Sequence, residues 1–191
     1  MTNAFNTAAV RAAAPLPMPA TTVVVRAAQL LLPDLERGKR IDAGILRTAM
    51  ESAFGGSDAT GAWDWKTAYD ACEAATVLFL RKFGPAIRAK AASPAAMMPM
   101  LVRLAGLLPA HTRRSEESQA FQQFSTPIPL GLAACTAAAI TTADRVLEPS
   151  AGTGLLAILA GLAGGSLVLN ELAEARAALL GQLFPAVPVT R

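Results

Sequence analysis

The architecture of this chain depends most on the segment Arg145-Val-Leu-Glu-Pro-Ser-Ala-Gly-Thr-Gly-Leu-Leu-Ala157. Its apolar start predicts a β-strand that ends at the carboxylate Glu148, and the residues from Leu155 to Leu162 predict a helix. Between them, Gly152 and Gly154 allow a sharp turn and a close approach of the backbone to a ligand. A strand, a glycine turn and a helix N-terminus in this order are typical of a nucleotide-binding corner. The first amides of the helix favour a carboxylate or phosphate there.

A second acidic residue follows the next predicted strand. Ser166-Leu-Val-Leu169 has strand character and ends at Asn170-Glu171, which places Glu171 23 residues after Glu148. This is about the length of a strand–turn–helix–strand unit, where a ribose-binding acid belongs. The segment also fits the loose dinucleotide pattern G-x-G-x-x-G/A, so a nicotinamide-dependent oxidoreductase stays open, although the Glu148-Pro149 start disfavours it. An ordinary βαβ unit with solvated acids is the plainer alternative.

Two motifs carry a family resemblance. Glu148-Pro-Ser-Ala-Gly-Thr-Gly154 resembles the S-adenosylmethionine-binding motif of DNA methyltransferases that modify the exocyclic amino group of adenine. Upstream, Gln122-Gln-Phe-Ser-Thr-Pro-Ile-Pro129 resembles the phenylalanine/tyrosine-threonine-proline element of the same enzymes. With Arg114-Ser-Glu-Glu-Ser-Gln119, the arrangement is most similar to the methyltransferase-like front end of bacterial strawberry-notch-type methylase/helicase proteins. The resemblance covers about Ser115 to Arg191.

The resemblance implies a set of cofactor-binding residues, namely Thr126, Pro127, Glu148, Pro149, Ser150, Gly152, Gly154, Glu171 and Leu172. In the family's pattern Glu148 and Gly152 hold the methionine end of S-adenosylmethionine, and Thr126 with Pro127 forms a wall there. Gly154 allows the close turn. Glu171 accepts hydrogen bonds from the ribose hydroxyls, and Leu172 packs against the adenine ring.

The chain also departs from the family. It lacks the Asp/Asn-Pro-Pro-aromatic motif that holds a flipped base, so no catalytic residue is predicted. Only the start of a third strand, Val187-Pro-Val-Thr190, follows before Arg191, and the one Gly-Lys pair, Gly38-Lys39, lacks the context of a phosphate-binding loop. We therefore expect a fragment of a methyltransferase/helicase-type protein. Its expected partners are DNA, as the resemblance implies, and either a helicase half or the missing C-terminal part of the domain.

The expected fold class is α/β, with an N-terminal helical region followed by the first part of a truncated Rossmann-like methyltransferase sheet. Residues 1–20 are rich in alanine and proline and predict a disordered tail. Residues 21–114 predict an all-helical region, and residues 115–191 the partial S-adenosylmethionine-binding domain. The predicted helices run over Val23–Leu32, Ala43–Phe54, Trp65–Phe83, Ser93–Leu108 with a bend at Pro99, Pro129–Thr141 and Ala173–Leu183. Pro33 and Gly84-Pro85 are expected to end the first and the third.

Charge is distributed unevenly along the chain. Residues 21–114 hold 13 Lys/Arg against 8 Asp/Glu, whereas residues 115–191 hold 3 against 6. A basic front suits nucleic acid, although a solvated helical surface gives the same balance. A non-enzymatic helical module that binds DNA or a partner, with a degenerate cofactor site, is therefore the alternative function. Trp63 and Trp65 suit base stacking, but packing is the more common role.

The remaining composition excludes several classes of site. Cys72 and Cys135 lack paired spacing and His111 is the single histidine, so neither a disulfide framework nor a metal site is predicted, and a cytoplasmic location is expected. The uncharged runs Ser118–Ala143 and Pro149–Asn170 are long enough to span a bilayer. Their glycine, proline and glutamine content favours a buried core instead, so no membrane association is predicted.

Overall fold

The computed structural model of the protein describes residues 20–109 and 124–191. These residues form a mixed α/β structure, mostly helical, with a three-stranded parallel sheet. The helices are α1 (Ala20–Glu36), α2 (Ala43–Phe54), α3 (Trp65–Lys90), α4 (Met98–Gly106), α5 (Ile128–Ala137), α6 (Leu155–Ala163) and α7 (Glu174–Leu183). The strands are β1 (Arg145–Glu148), β2 (Ser166–Asn170) and β3 (Val189–Thr190), and 3₁₀ turns cover Asp58–Thr60 and Pro94–Met97. The predicted tail lies outside the described residues except for Ala20, which begins α1, and so do His111 and the segment 114–119.

Helix α3 is the central helix of the N-terminal region. Every residue from Ala68 to Val77 is buried, and α1, α2, α6 and α7 all contact this helix. The Asp64 side chain caps its start by accepting a hydrogen bond from the Thr67 amide at 2.7 Å. Trp63 is buried and its indole N–H donates to the Gly56 carbonyl at 2.9 Å, as expected of a packing residue.

Two prolines lie inside helices that they were expected to end. Helix α1 continues through Pro33 to Glu36, and α3 continues through Pro85 to Lys90, so both predicted ends were wrong. A proline inside a helix costs about 3 kcal/mol because it removes one backbone hydrogen bond and crowds the preceding turn. Burial on both sides of Pro33, at Leu31 and Leu35, offsets that cost in α1.

The predicted bend at Pro99 was also wrong. The segment divides into a 3₁₀ turn over Pro94–Met97 and a separate helix α4. Pro99 lies in the first turn of α4, where backbone amides have no acceptor within the helix, so the absence of an N–H costs no helical hydrogen bond. The Ser93 hydroxyl caps the preceding 3₁₀ turn by accepting from the Ala96 amide at 3.3 Å.

The sheet has the strand order β1-β2-β3, and all pairings are parallel. Glu148 is in register with Leu169, and Leu169 with Val189. Because parallel strands end at the same edge, Glu148 at the end of β1 and Glu171 just after β2 lie at the same edge of the sheet. Helices α6 and α7 connect the strands and pack against α3, and α7 also packs against α1.

The buried side chains of both regions belong to one apolar cluster. Helices α3 and α6 pack closely at Gly84, where an added Cβ would lie 2.6 Å from the Leu162 side chain of α6. Among the helices in the described residues, none combines the length and the apolar character needed to cross a membrane.

Candidate functional site

A cleft of about 360 Å³ opens at the carboxyl ends of β1 and β2. Six of the nine residues that the sequence singled out line it, namely Thr126, Glu148, Ser150, Gly152, Glu171 and Leu172. The other lining residues are Phe124, Ser125, Ala151, Thr153, Leu155, Leu156 and Arg176. The volume lies in the range of small-molecule sites.

The two glycines of the turn serve different physical purposes. Gly152 has φ +57° and faces open space, since the nearest atom to an added Cβ would be Arg176 Nη1 at 4.0 Å. Gly154 has φ +92°, and a Cβ there would collide with the ring of Phe184. Gly152 therefore leaves room in the cleft, whereas Gly154 allows the turn to pack on α7 and the residue that follows it.

The Glu171 carboxylate is buried and bound to the backbone. Its Oε2 accepts from the Gly152 amide at 2.8 Å, and its Oε1 accepts from the Ala173 amide at 2.8 Å. The side chain thus joins the glycine turn to the start of α7. Each carboxylate oxygen can accept a second hydrogen bond, so these contacts leave acceptor capacity toward the cleft.

The glycine turn uses several of its own amides. Besides the Gly152 amide, the Ala151 amide donates to the Asn170 carbonyl at 2.9 Å, and the Gly154 amide donates to the Ala151 carbonyl at 2.8 Å. A protein carboxylate therefore occupies the Gly152 amide that would otherwise attract an anionic ligand. This part of the corner is less suited to a phosphate than the sequence suggested.

Exposed apolar side chains form a second feature of the cleft. Leu172 is 63% exposed and Phe124 is 62% exposed, although both line the cavity. Large apolar side chains with this exposure beside a pocket can cover a flat ring. Glu148 is half-buried, and its Oε1 accepts from the Ser150 amide at 3.2 Å.

Three of the residues singled out from the sequence lie outside the cleft lining. Pro127 caps the start of α5, where its carbonyl accepts from the Gly131 amide at 3.0 Å. The Pro149 carbonyl accepts from the Asn170 side chain at 3.0 Å. Gly154 is buried against Phe184. These three residues support the local backbone structure and do not line the cavity.

A buried polar cluster behind the turn was missed in the sequence. The Thr153 hydroxyl donates to Glu73 Oε2 at 2.6 Å, and the Arg176 guanidinium donates to Asp70 Oδ1 from Nη2 at 2.8 Å and from Nε at 3.2 Å. Asp70 and Glu73 belong to α3, so the N-terminal helices hold the glycine turn and α7 directly. Local sequence gives no signal for these contacts, because the partners are 80 and 106 residues apart.

Burial and charge act together in this cluster. Burial raises the pKa of Asp70, the neighbouring Glu73 adds to that effect, and Arg176 opposes it. For Arg176, burial alone would lower the pKa, but attraction to Asp70, Glu73 and Glu171 outweighs it and the pKa is raised. The guanidinium is therefore held firmly in its charged form.

Other kinds of site find little support within residues 20–109 and 124–191. No group of three or more His, Cys, Asp or Glu side chains there could hold a metal ion. Cys72 and Cys135 are both buried, and burial raises the pKa of each thiol, which disfavours the reactive thiolate.

Comparisons of the chain with protein-family models, with curated proteins and with solved structures gave no match.

Proposed function

We propose that the cleft binds S-adenosylmethionine, and that the chain is the cofactor-binding N-terminal part of a DNA methyltransferase/helicase-type protein with a Rossmann-like sheet. One observation carries this proposal. Two carboxylates, Glu148 and Glu171, share one cleft with exposed apolar side chains and an open glycine turn. S-adenosylmethionine offers a sulfonium and an ammonium to the acids, ribose hydroxyls to Glu171, and a flat adenine to Leu172.

Charge favours this ligand over a nicotinamide dinucleotide. The cleft contains two carboxylates and one guanidinium, and Asp70 and Glu73 lie directly behind it. Two like charges 4 Å apart repel by about 4 kcal/mol at an effective dielectric constant near 20. A pyrophosphate would meet this repulsion, whereas a cationic sulfonium would be attracted.

Isothermal titration calorimetry tests the proposal. We expect binding of S-adenosylmethionine and no measurable binding of NAD⁺ under the same conditions. Glu148→Gln should weaken binding about 10-fold or more, because it removes a charge beside the sulfonium. Glu174→Gln is the matched control, since Glu174 is exposed and does not line the cleft. Absence of S-adenosylmethionine binding by the wild type would contradict the proposal.

The same titration addresses the non-enzymatic alternative, a helical DNA- or partner-binding module with a degenerate cofactor site. The observation that favours it is the double use of the Glu171 carboxylate by the backbone. If the Glu171 side chain only supports the turn, the titration should show no heat of S-adenosylmethionine binding. DNA binding by the basic N-terminal region is then the remaining activity, and its affinity should fall steeply with salt concentration.

A further inference from the structure

Arg176 occupies an unusual place for a charged residue. It lies in the first turn of α7, it is 7% exposed, and it lines the cleft. A cation in the first turn of a helix opposes the helix dipole, and a buried charge carries a large desolvation cost. Asp70 from α3 supplies the opposite charge, with contacts to Nε and Nη2.

The third nitrogen of the guanidinium points away from Asp70. Nη1 is the atom nearest to the open side of Gly152, 4.0 Å from where a Cβ would be. Within residues 20–109 and 124–191, the hydrogen bonds of Arg176 involve Nε and Nη2 only. Nη1 carries two N–H donors, and a buried donor without an acceptor costs about 1–3 kcal/mol.

We propose that Arg176 Nη1 binds the carboxylate of the amino-acid moiety of the ligand, and that Asp70 is the positioning residue that orients the guanidinium. This inference rests on the proposed function and deepens it. A guanidinium and a carboxylate form short, charge-assisted hydrogen bonds. The nearby Glu148 and Glu171 attract the ligand's ammonium and repel an anion everywhere else in the cleft, so the zwitterion binds in one orientation.

The test compares two ligands that differ in this carboxylate alone. S-adenosylmethionine and decarboxylated S-adenosylmethionine are titrated calorimetrically into the full chain. The wild type should prefer S-adenosylmethionine by about 10- to 100-fold, the range expected for one charge-assisted contact. Arg176→Gln should abolish the preference. A merely structural role would weaken binding of both ligands equally and leave the ratio unchanged.

Further variants distinguish loss of the carboxylate contact from misfolding of Arg176→Gln. Arg176→Lys keeps a cation beside Asp70. A lysine ammonium cannot bind Asp70 and the ligand carboxylate at the same time as the planar guanidinium can, so the preference for S-adenosylmethionine should fall here too. Asp70→Asn should lower the preference, because the guanidinium loses its fixed plane. Arg191→Gln removes an exposed arginine that pairs with Glu174, and its preference should match the wild type.

The outcomes separate the two proposals. If the wild type binds neither ligand, the proposed function and this inference both fail. If it binds both with equal affinity, or if Arg176→Gln and Arg176→Lys keep the wild-type preference, the proposed function stands and the role of Arg176 is overturned.

Discussion

At the residue scale, the two glycines of the turn share an unusual backbone conformation but differ in how tightly they are packed. Both have positive φ, which an L side chain adopts at a cost of about 1–2 kcal/mol. They differ in what surrounds them, because Gly152 faces the cleft and Gly154 faces the ring of Phe184. The sequence motif alone does not distinguish these roles.

We expect Gly154→Ala to lower the free energy of unfolding by about 3 kcal/mol or more, since it adds a collision with Phe184 to the backbone strain. Gly152→Ala should cost about 1 kcal/mol, because backbone strain is its main penalty. Urea denaturation of both variants and the wild type measures the difference. Equal losses would contradict the packing described for Gly154.

The candidate cleft residues that could be predicted from the sequence belong to a short motif, so their neighbours along the chain indicate their position. Glu148, Gly152 and Glu171 belong to one strand–turn–helix–strand unit, and the structure brings them to one cleft. Asp70, Glu73 and Arg176 were missed because charged side chains in a helix ordinarily face water. Only the tertiary fold shows that α3 is buried from Ala68 to Val77.

At the element scale, a local rule competed with packing at two mispredicted helix ends; a third predicted helix, Pro129–Thr141, spans Ile128–Ala137 in the structure. Pro33 and Pro85 satisfy the usual rule for a helix end, yet both helices continue. Asp42 and Asp64 cap their helices through local bonds, since each carboxylate accepts from an amide only three positions along the chain. A sequence pattern therefore predicts local hydrogen bonds well. Long-range packing can offset the cost of a proline inside a helix, and the local pattern does not show that packing.

The contact between α3 and α6 at Gly84 leads to a second prediction. Gly84→Ala should lower the free energy of unfolding by about 1–3 kcal/mol relative to Gly181→Ala, because its Cβ would lie 2.6 Å from Leu162. Gly181→Ala is the matched control within α7, where an added Cβ meets nothing within 4 Å. The control should be neutral or more stable by up to about 1 kcal/mol, since alanine favours a helix. Thermal and urea unfolding of both variants give the comparison, and equal stability of the two variants would contradict the close packing.

The turn before β1 gives a pH-dependent prediction. The hydroxyl of Thr141 donates to Asp144 Oδ2 at 2.8 Å and its amide donates at 2.7 Å, and these bonds hold the pKa of Asp144 below its ordinary value. A lowered carboxyl pKa stabilises the fold above the unfolded-state value, and this stability is lost as pH falls through the folded-state value. The stability advantage over Asp144→Asn should therefore shrink between about pH 5 and about pH 2. Urea titrations across this range measure it, and a constant difference would exclude the role of ionised Asp144.

At the scale of the whole molecule, the mixed α/β class and the parallel β1-β2-β3 order follow the order of strands and helices in the sequence. What the sequence could not provide is the arrangement of the N-terminal helices against the sheet region. That arrangement depends on the contacts of Asp70, Glu73 and Gly84 with residues of α6, α7 and the glycine turn. These contacts predict that the two regions unfold together.

Both tryptophans of the chain lie at the N-terminal end of α3, Trp65 as its first residue and Trp63 just before it, so tryptophan fluorescence reports on the N-terminal helices. A ligand in the cleft at about 100 times its Kd should stabilise the fold by about 2.7 kcal/mol. If the regions unfold together, S-adenosylmethionine should raise the fluorescence midpoint and the far-UV circular dichroism midpoint equally. A ligand that shifts the dichroism midpoint but not the fluorescence midpoint would show that the regions unfold separately.

Among the described residues β1 pairs with β2 alone, and Leu147 in this strand is 64% exposed. A strand edge without a second strand partner, beside an exposed apolar side chain, favours association of one molecule with the next. Concentrated solutions should accordingly turn turbid on standing, faster at higher protein concentration, and Leu147→Lys should delay the turbidity. Light scattering over time measures the turbidity, and identical curves for the wild type and Leu147→Lys would show that the molecules associate through another surface.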